Sequence, residues 1–211
     1  NYGTLYYDQK KFIPKEDFVK SHLFVGGADT YLGEDYIKGR IGDIDFELCE
    51  LNVREFSKVR RRLNYVFKGV FLKGKLHESV NGNILILPKE FKQYLTRSIK
   101  KITEQRGRSV DGIIRDQDFR DYFITFATQN AKIRQLLSEE MQASIVNYRI
   151  TTDKFIYLSF INREVYIAIT VPKNLLEPFV FQSNVSFELV REFFEDLYLL
   201  LRIIEDFDVH H

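Results

Sequence analysis

Apolar residues follow two different spacings along this chain. From residue 36 to residue 87, and again from 155 to 170, they alternate with polar residues or form short apolar runs, which is typical of β-strands. Over Ser186–Phe207 they recur every three or four residues, with Val190, Phe193, Leu197 and others on one side. This spacing predicts a long amphipathic C-terminal helix.

The strand beginning at Ile44 changes phase halfway along. Its apolar residues first occupy even positions and then odd ones, in the order Ile44, Phe46, Leu48, Cys49, Leu51, Val53. Because side chains alternate between the two faces of a strand, this change transfers burial to the other face. It predicts a β-bulge or a strong bend near Cys49.

Local signals predict where several elements begin and end. Gly42-Asp43, Asn81-Gly82 and Asn162-Arg163 each separate two apolar runs and predict hairpin turns. Pro14 favours the first turn of a short helix. Ser138 can accept a hydrogen bond from the backbone at the start of another helix.

The distribution of glycine divides the chain into two parts. All eleven glycines lie at or before Gly112, which indicates a turn-rich half followed by a helix-rich half. We therefore predict a single α+β domain over residues 1–211. Within it, residues 12–98 are a Gly-rich β half and residues 109–207 a helix-rich half. The predicted fold is mainly antiparallel sheet covered by amphipathic helices, including the long C-terminal one.

Composition and charge narrow the class of protein. Hydrophobic residues make up 45% and charged residues 29% of the chain, which is ordinary for a globular domain that buries its own core. A net charge of +1 provides no global attraction for nucleic acid or an anionic membrane. The single cysteine, Cys49, cannot form an intrachain disulfide, which favours the cytoplasm. Within the chain, no apolar run approaches the ~20 residues that span a bilayer, and His210 and His211 are given no role.

Candidate catalytic residues are confined to a group of carboxylates. His and Cys residues lack metal-ligand spacing, and the nucleophile and phosphate-loop motifs are missing from the sequence, so no cofactor or metal is expected. Paired carboxylates can perform acid–base chemistry. A bulge at Cys49 would bring Glu47 and Glu50 together. A hydrolase-like enzyme would use this pair with Asp35 or Asp45, if these carboxyls converge in a cleft within ~5–10 Å. The alternative is that these charges are solvated strand edges and turns. The whole group is Glu34, Asp35, Asp43, Asp45, Glu47 and Glu50.

Basic residues form two clusters that suggest a different function. The first fills a loop from Lys58 to Arg62, and the second comprises Arg97, Lys100, Lys101, Arg106 and Arg108. Such clusters can contact phosphate, nucleic acid or an anionic membrane surface. They are equally compatible with ordinary solvated loops.

The order and spacing of several short motifs give the chain a family resemblance from about residue 12 onwards. It resembles an uncharacterised bacterial family, domain of unknown function 3137. The matching residues are Ser21, Leu23-Phe24, Tyr31, Gly33-Glu34-Asp35, Gly39, Ile41-Gly42, Glu50-Leu51, Phe67-Lys68-Gly69-Val70-Phe71, Gly82, Leu87-Pro88, Asp118-Phe119 to Phe123, Tyr157 to Phe160, Val165-Tyr166-Ile167-Ala168-Ile169 and Leu176-Glu177-Pro178. One segment, Ala131–Gln135, departs from the family pattern.

The resemblance implies no catalytic activity. It implies hydrophobic N-terminal segments in many members, with this domain on the cytoplasmic side. From the residues and the resemblance together, we expect a non-catalytic cytoplasmic interaction or regulatory domain. Such a domain would be tethered to the cytoplasmic face of the inner membrane only through a segment absent from this chain. The hydrolase and the anion- or nucleic-acid-binding hypotheses remain open alternatives.

Overall fold

A computed structural model describes residues 5–24, 27–90, 104, 107–170, 198, 201 and 204. The strands among these residues form one sheet in which every neighbouring pair is antiparallel. The strands are β1 Tyr6–Asp8, β2 Thr30–Ile41, β3 Ile44–Ser57, β4 Arg62–Lys75, β5 Asn83–Pro88, β6 Arg108–Ser109, β7 Phe123–Ala127, β8 Phe155–Ile161 and β9 Glu164–Thr170. Their order across the sheet is β1-β2-β3-β4-β9-β8-β5-β7-β6.

The helices that the structure describes are short. The longest, α4, spans Glu139–Thr152, and the others are α1 Lys15–Lys20, α2 Gln117–Tyr122, α3 Ile133–Leu136 and a 3-10 turn at Asp111–Ile113. The predicted cap of α4 is confirmed, because Ser138 Oγ accepts a hydrogen bond from the Met141 amide at 3.1 Å.

The predicted α+β fold class is wrong. A nine-stranded antiparallel sheet dominates the described residues, and its accompanying helices are few and short, so the fold is mostly β. The long helix predicted over Ser186–Phe207 lies outside the described residues except for Tyr198, Leu201 and Ile204. Each of these three residues is helical, and Leu201 and Ile204 are buried.

The sheet has a hydrophobic core on each face. The helix-side core joins strand residues such as Leu72 and Ile167 to Phe119 of α2 and Ile145 of α4. The N-terminal core packs the other face, through Phe67 and Phe71, against Phe18 of α1 and nearby residues of the N-terminal segment. Strands buried on both faces explain the uninterrupted apolar runs in the sequence.

The phase change in β3 has a cause other than the predicted one. Ile44 to Leu48 belong to the helix-side core, whereas Cys49 to Val53 belong to the N-terminal core. The pairing of β3 with β4 runs without a shift from Asp45 to Val53. The strand is therefore regular at Cys49, and what changes along it is the face of the sheet that is buried.

The bulge lies on the neighbouring strand, β2. Glu34 pairs with Glu50 and Ile37 pairs with Leu48, so two residues of β2 stand opposite the single residue Cys49. The first of the two, Asp35, has a left-handed backbone with φ of 55°, as bulges often require.

Two of the three predicted hairpin turns join paired strands. Gly42-Asp43 connects β2 to β3, and Asn162-Arg163 connects β8 to β9. Asn81-Gly82 forms a turn, with φ values of 56° and 146°, but its following strand, β5, pairs with β7 and β8 and not with β4. The predicted hairpin at that position is wrong.

Strands from both predicted subdomains are neighbours in this sheet. β4 pairs with β9, and Thr170 Oγ1 donates a hydrogen bond to the Lys68 carbonyl at 2.7 Å. The division into residues 12–98 and 109–207 stays a prediction.

Candidate functional site

The bulge in β2 gathers three carboxylates, named here the acidic cluster: Glu34, Asp35 and Glu50. One carboxylate oxygen from each lies within 4.8 Å of the others. Glu34 and Glu50 are directly opposite each other on β2 and β3, and the extra residue of the bulge adds Asp35. The exposure of the three differs, since Glu34 is exposed, Glu50 half-buried and Asp35 only 1% exposed.

Asp35 is held on one side only. The Tyr7 hydroxyl donates a hydrogen bond to Oδ1 at 2.6 Å, and this bond to the carboxylate raises the pKa of Tyr7 to about 12. Oδ2 is buried and accepts no hydrogen bond from any residue that the structure describes. A buried carboxylate oxygen without a donor is costly.

The surroundings of Glu50 raise the pKa of its carboxyl group. Burial, together with the negative charges of Glu34 and Asp35, raises its pKa to about 7 against the opposing effect of Lys68. Burial in turn lowers the pKa of Lys68. Three close carboxylates and one lysine leave local negative charge that a proton or a cation can neutralise.

The structure separates Glu50 from Glu47, contrary to the sequence prediction. Because β3 is regular here, the two side chains lie on opposite faces of the sheet. Glu47 stands between Lys38 and Lys73 on the adjacent strands, and Asp45 lies 3.9 Å from Arg40. The carboxylates that converge with Glu50 are Asp35, which the hydrolase hypothesis included, and Glu34, which it did not.

Tyr7 is the member of this site that sequence reasoning missed, whereas Glu34 was named among the carboxylates but was not paired with Glu50. A detectable signal was the spacing of Tyr31 and Tyr36, which both pack in or against the N-terminal core. Residues five apart on a regular strand face opposite sides, so their shared face requires one extra residue between them.

Cys49 is buried, as expected for a small apolar group, and plays no part in the acidic cluster. Burial raises the pKa of its thiol to about 12, and its sulfur accepts a hydrogen bond from the Ile13 amide at 3.3 Å. A thiol with so small a thiolate fraction is a poor nucleophile at neutral pH.

The raised pKa of Glu50 predicts a pH-dependent stability. The folded protein holds this proton more tightly than the unfolded chain, so stability falls as pH rises from about 4.5 to about 7. In buffer with EDTA, Glu50→Gln is expected to match the wild type at about pH 4. At about pH 8.5 it should exceed the wild-type free energy of unfolding by about 1–3 kcal/mol. Urea denaturation across this range measures the difference, and a difference independent of pH would contradict the assignment.

The end of the β3–β4 hairpin is a second candidate surface, named here the hairpin tip (residues 56–63). Its four basic residues, all exposed, are Lys58, Arg60, Arg61 and Arg62. Exposed apolar side chains lie among them: Val59 is 95% exposed, and Phe56 and Leu63, opposite each other, are 53% and 44% exposed. Of the second basic cluster, the structure describes only Arg108, which is exposed in β6.

No helix within the described ranges is both long and apolar enough to cross a bilayer.

Comparisons with known proteins give a family and a structural likeness. The crystal structure of the mycobacterial trehalose monomycolate transport factor A, TtfA, is similar to this chain with a TM-score of 0.44 and 11% identity, over 95% of this chain and 88% of that one. No curated protein matches the chain. The family described as "Protein of unknown function (DUF3137)" matches residues 65–209, so part of the resemblance noted from residue 12 falls before the matched range. Because the match covers more than half of the chain, the protein belongs to this family of unknown function, DUF3137.

Proposed function

We propose that this protein is a non-catalytic interaction domain that docks onto an anionic membrane surface through the hairpin tip. The observation that supports this most directly is the mixture of four exposed cations and three exposed apolar side chains on one short segment. Cations attract anionic headgroups, and apolar side chains gain free energy on entering the interface.

The hairpin tip extends beyond the paired part of the sheet. β2 pairs with β3 only as far as Thr30 opposite Arg54, and β9 pairs with β4 only from Val70 onwards. Among the described strands, residues 55–57 and 62–64 pair only with each other. The tip can therefore approach a surface without interference from the rest of the sheet.

The charges at the tip favour a negatively charged surface. Each cation near an anionic bilayer contributes about 1 kcal/mol, so four contribute about 4 kcal/mol. The acidic residues at its base are engaged by backbone amides. Asp29 accepts from the Phe56 amide at 2.6 Å, and Glu55 accepts from the Gly27 amide at 3.0 Å.

The apolar side chains favour a membrane over nucleic acid. Val59 and Leu63 are poor stacking partners for a base but can enter the acyl boundary, and the aromatic Phe56 is suited to the same boundary. Tyr65, the nearest tyrosine in sequence, is engaged by Arg54, whose guanidinium lies 4.5 Å from its ring centre and donates to its hydroxyl at 2.9 Å. The cytoplasmic leaflet carries anionic lipid, in keeping with the location predicted from the single cysteine. Stable anchoring takes two signals, and a tether outside this chain would supply the other.

Vesicle sedimentation tests this proposal. Wild-type protein is expected to bind phosphatidylcholine vesicles containing about 30% phosphatidylglycerol, and to bind pure phosphatidylcholine weakly. The triple variant R60E/R61E/R62E should weaken binding at least about 100-fold, from about 1 kcal/mol per lost cation. Val59→Asp should also weaken it, because an added carboxylate opposes insertion.

The matched control makes the same change in net charge at residues outside the hairpin tip. Lys75, Arg115 and Arg134 are exposed and lie outside the tip, so K75E/R115E/R134E has the same net charge as the tip variant. Equal losses in both triple variants would show a nonspecific charge effect and refute the proposal. Tighter binding to single-stranded DNA than to vesicles would identify nucleic acid as the partner instead.

A further inference from the structure

We propose that the acidic cluster of Glu34, Asp35 and Glu50 is a binding site for a divalent cation of the calcium type. The inference is independent of the membrane proposal, because it concerns other residues and a different ligand. The spacing of His and Cys residues gave no sign of such a site, since its ligands meet only through the bulge in β2.

The distances in the cluster suit calcium. Calcium binds oxygen ligands at about 2.3–2.6 Å, so two oxygens on the same ion can be up to about 5 Å apart. The oxygens of the cluster lie within 4.8 Å of one another. Magnesium demands near-ideal octahedral geometry at about 2.0–2.1 Å and usually keeps several waters, so a site of three carboxylates suits the more flexible coordination of calcium better. Zinc favours nitrogen and sulfur ligands, and the cluster provides only oxygen.

A second observation separates this cluster from an ordinary group of surface acids. Asp35 is 1% exposed, and its Oδ2 has no hydrogen-bond donor among the described residues. A cation bound on the Oδ2 side of Asp35 would satisfy that oxygen. The Tyr7 hydroxyl holds the other oxygen at 2.6 Å, which fixes the orientation of the carboxylate as hydrogen bonds to ligating carboxylates do in metal sites.

The local charge also matches a divalent ion. Three carboxylates with one opposing lysine, Lys68, leave a local charge of about −2 when all are ionised. The backbone is prearranged, because Asp35 occupies its left-handed conformation between paired segments of β2 and β3. The exposed Glu34 gives an ion and its remaining water ligands access from solvent.

Terbium luminescence tests the site directly. Tb³⁺ takes the same oxygen ligands as Ca²⁺ and is sensitised by a nearby tyrosine, and Tyr7 touches Asp35. Purified protein, stripped with EDTA, should give tyrosine-sensitised emission on addition of Tb³⁺. Ca²⁺ should displace the Tb³⁺ at lower concentration than Mg²⁺.

Single substitutions assign the ligands. Glu34→Gln and Asp35→Asn should each weaken Ca²⁺ competition about tenfold or more. Losing a residue that only supports a metal ligand already lowers metal affinity about 10–100-fold, and these variants remove a ligand itself. Asparagine is well tolerated in the left-handed conformation, and Glu34 is exposed, so at least one variant should keep its fold. Circular dichroism verifies this. The matched control, Glu47→Gln, removes a carboxylate from the opposite face of β3 and should leave Ca²⁺ affinity within about twofold of the wild type, since the site is untouched.

Each remaining outcome overturns the proposal. Absence of sensitised emission in wild-type protein excludes the site. An equal loss in Glu47→Gln, or no loss in either ligand variant, shows adventitious binding to surface acids. Displacement by Mg²⁺ as readily as by Ca²⁺ excludes a calcium-type site.

Discussion

Replacing Gly69 with alanine is expected to lower the free energy of unfolding by more than about 4 kcal/mol or to prevent folding. Gly69 has a φ of +154°, and a Cβ built at this position would lie 2.0 Å from the carbonyl oxygen of Ile169. The backbone of β4 fixes the position of the Cβ, and the oxygen belongs to the backbone of β9, so the clash cannot be relieved by turning a side chain. The site is where β4 begins to pair with β9.

Gly112 provides the matched control for this experiment. A Cβ at that position meets no described atom within 4 Å, so Gly112→Ala should change stability by about 0.5 kcal/mol or less, or raise it slightly. Urea denaturation followed by circular dichroism measures both variants. If Gly69→Ala is as stable as Gly112→Ala, close approach of β4 and β9 is not what requires glycine at this position.

Replacing Phe18 with alanine is expected to cost about 3–5 kcal/mol. Phe18 is 2% exposed, and its ring centre lies 5.3 Å from that of Phe71 and 5.4 Å from that of Phe24. The six-residue helix α1 is too short to be stable alone. Its attachment to the N-terminal core depends largely on this one side chain.

The neighbouring residue tests whether the effect comes from burial. Val19 lies in the same helix and is 51% exposed, so Val19→Ala should change stability by about 0.5 kcal/mol or less. Denaturation measures both variants, and limited proteolysis should cut the Phe18→Ala protein faster before residue 24. Equal stability of the two variants would mean that α1 is not held by Phe18.

Features determined by a few adjacent residues were predictable from the sequence. The turns at Gly42-Asp43 and Asn162-Arg163 and the cap at Ser138 depend on backbone preferences and hydrogen bonds within three or four residues. The same local reasoning led to the wrong partner for β5. A turn at Asn81-Gly82 is local, but which strand pairs with β5 is decided by β7 and β8, far along the chain.

The acidic cluster was predictable only in part. The density of carboxylates between Glu34 and Glu50 is visible in the sequence, and their pairing is not. A bulge on β3, as predicted, and the observed bulge on β2 would bring different side chains together. Only the observed register, with Glu34 opposite Glu50, places Asp35 in the cluster and Glu47 outside it.

The turns, the helix cap, the buried character of the strands and, through the ordered motifs, the family could all be read from the amino-acid sequence. The strand order, the mostly β architecture and the face that each half of β3 buries became visible only in the assembled sheet. The difference follows from the range of the forces involved. Backbone preferences and caps act between near neighbours, whereas a sheet is assembled from pairs such as Lys68 and Thr170, 102 residues apart. The energy of such pairs depends on packing that no single segment encodes.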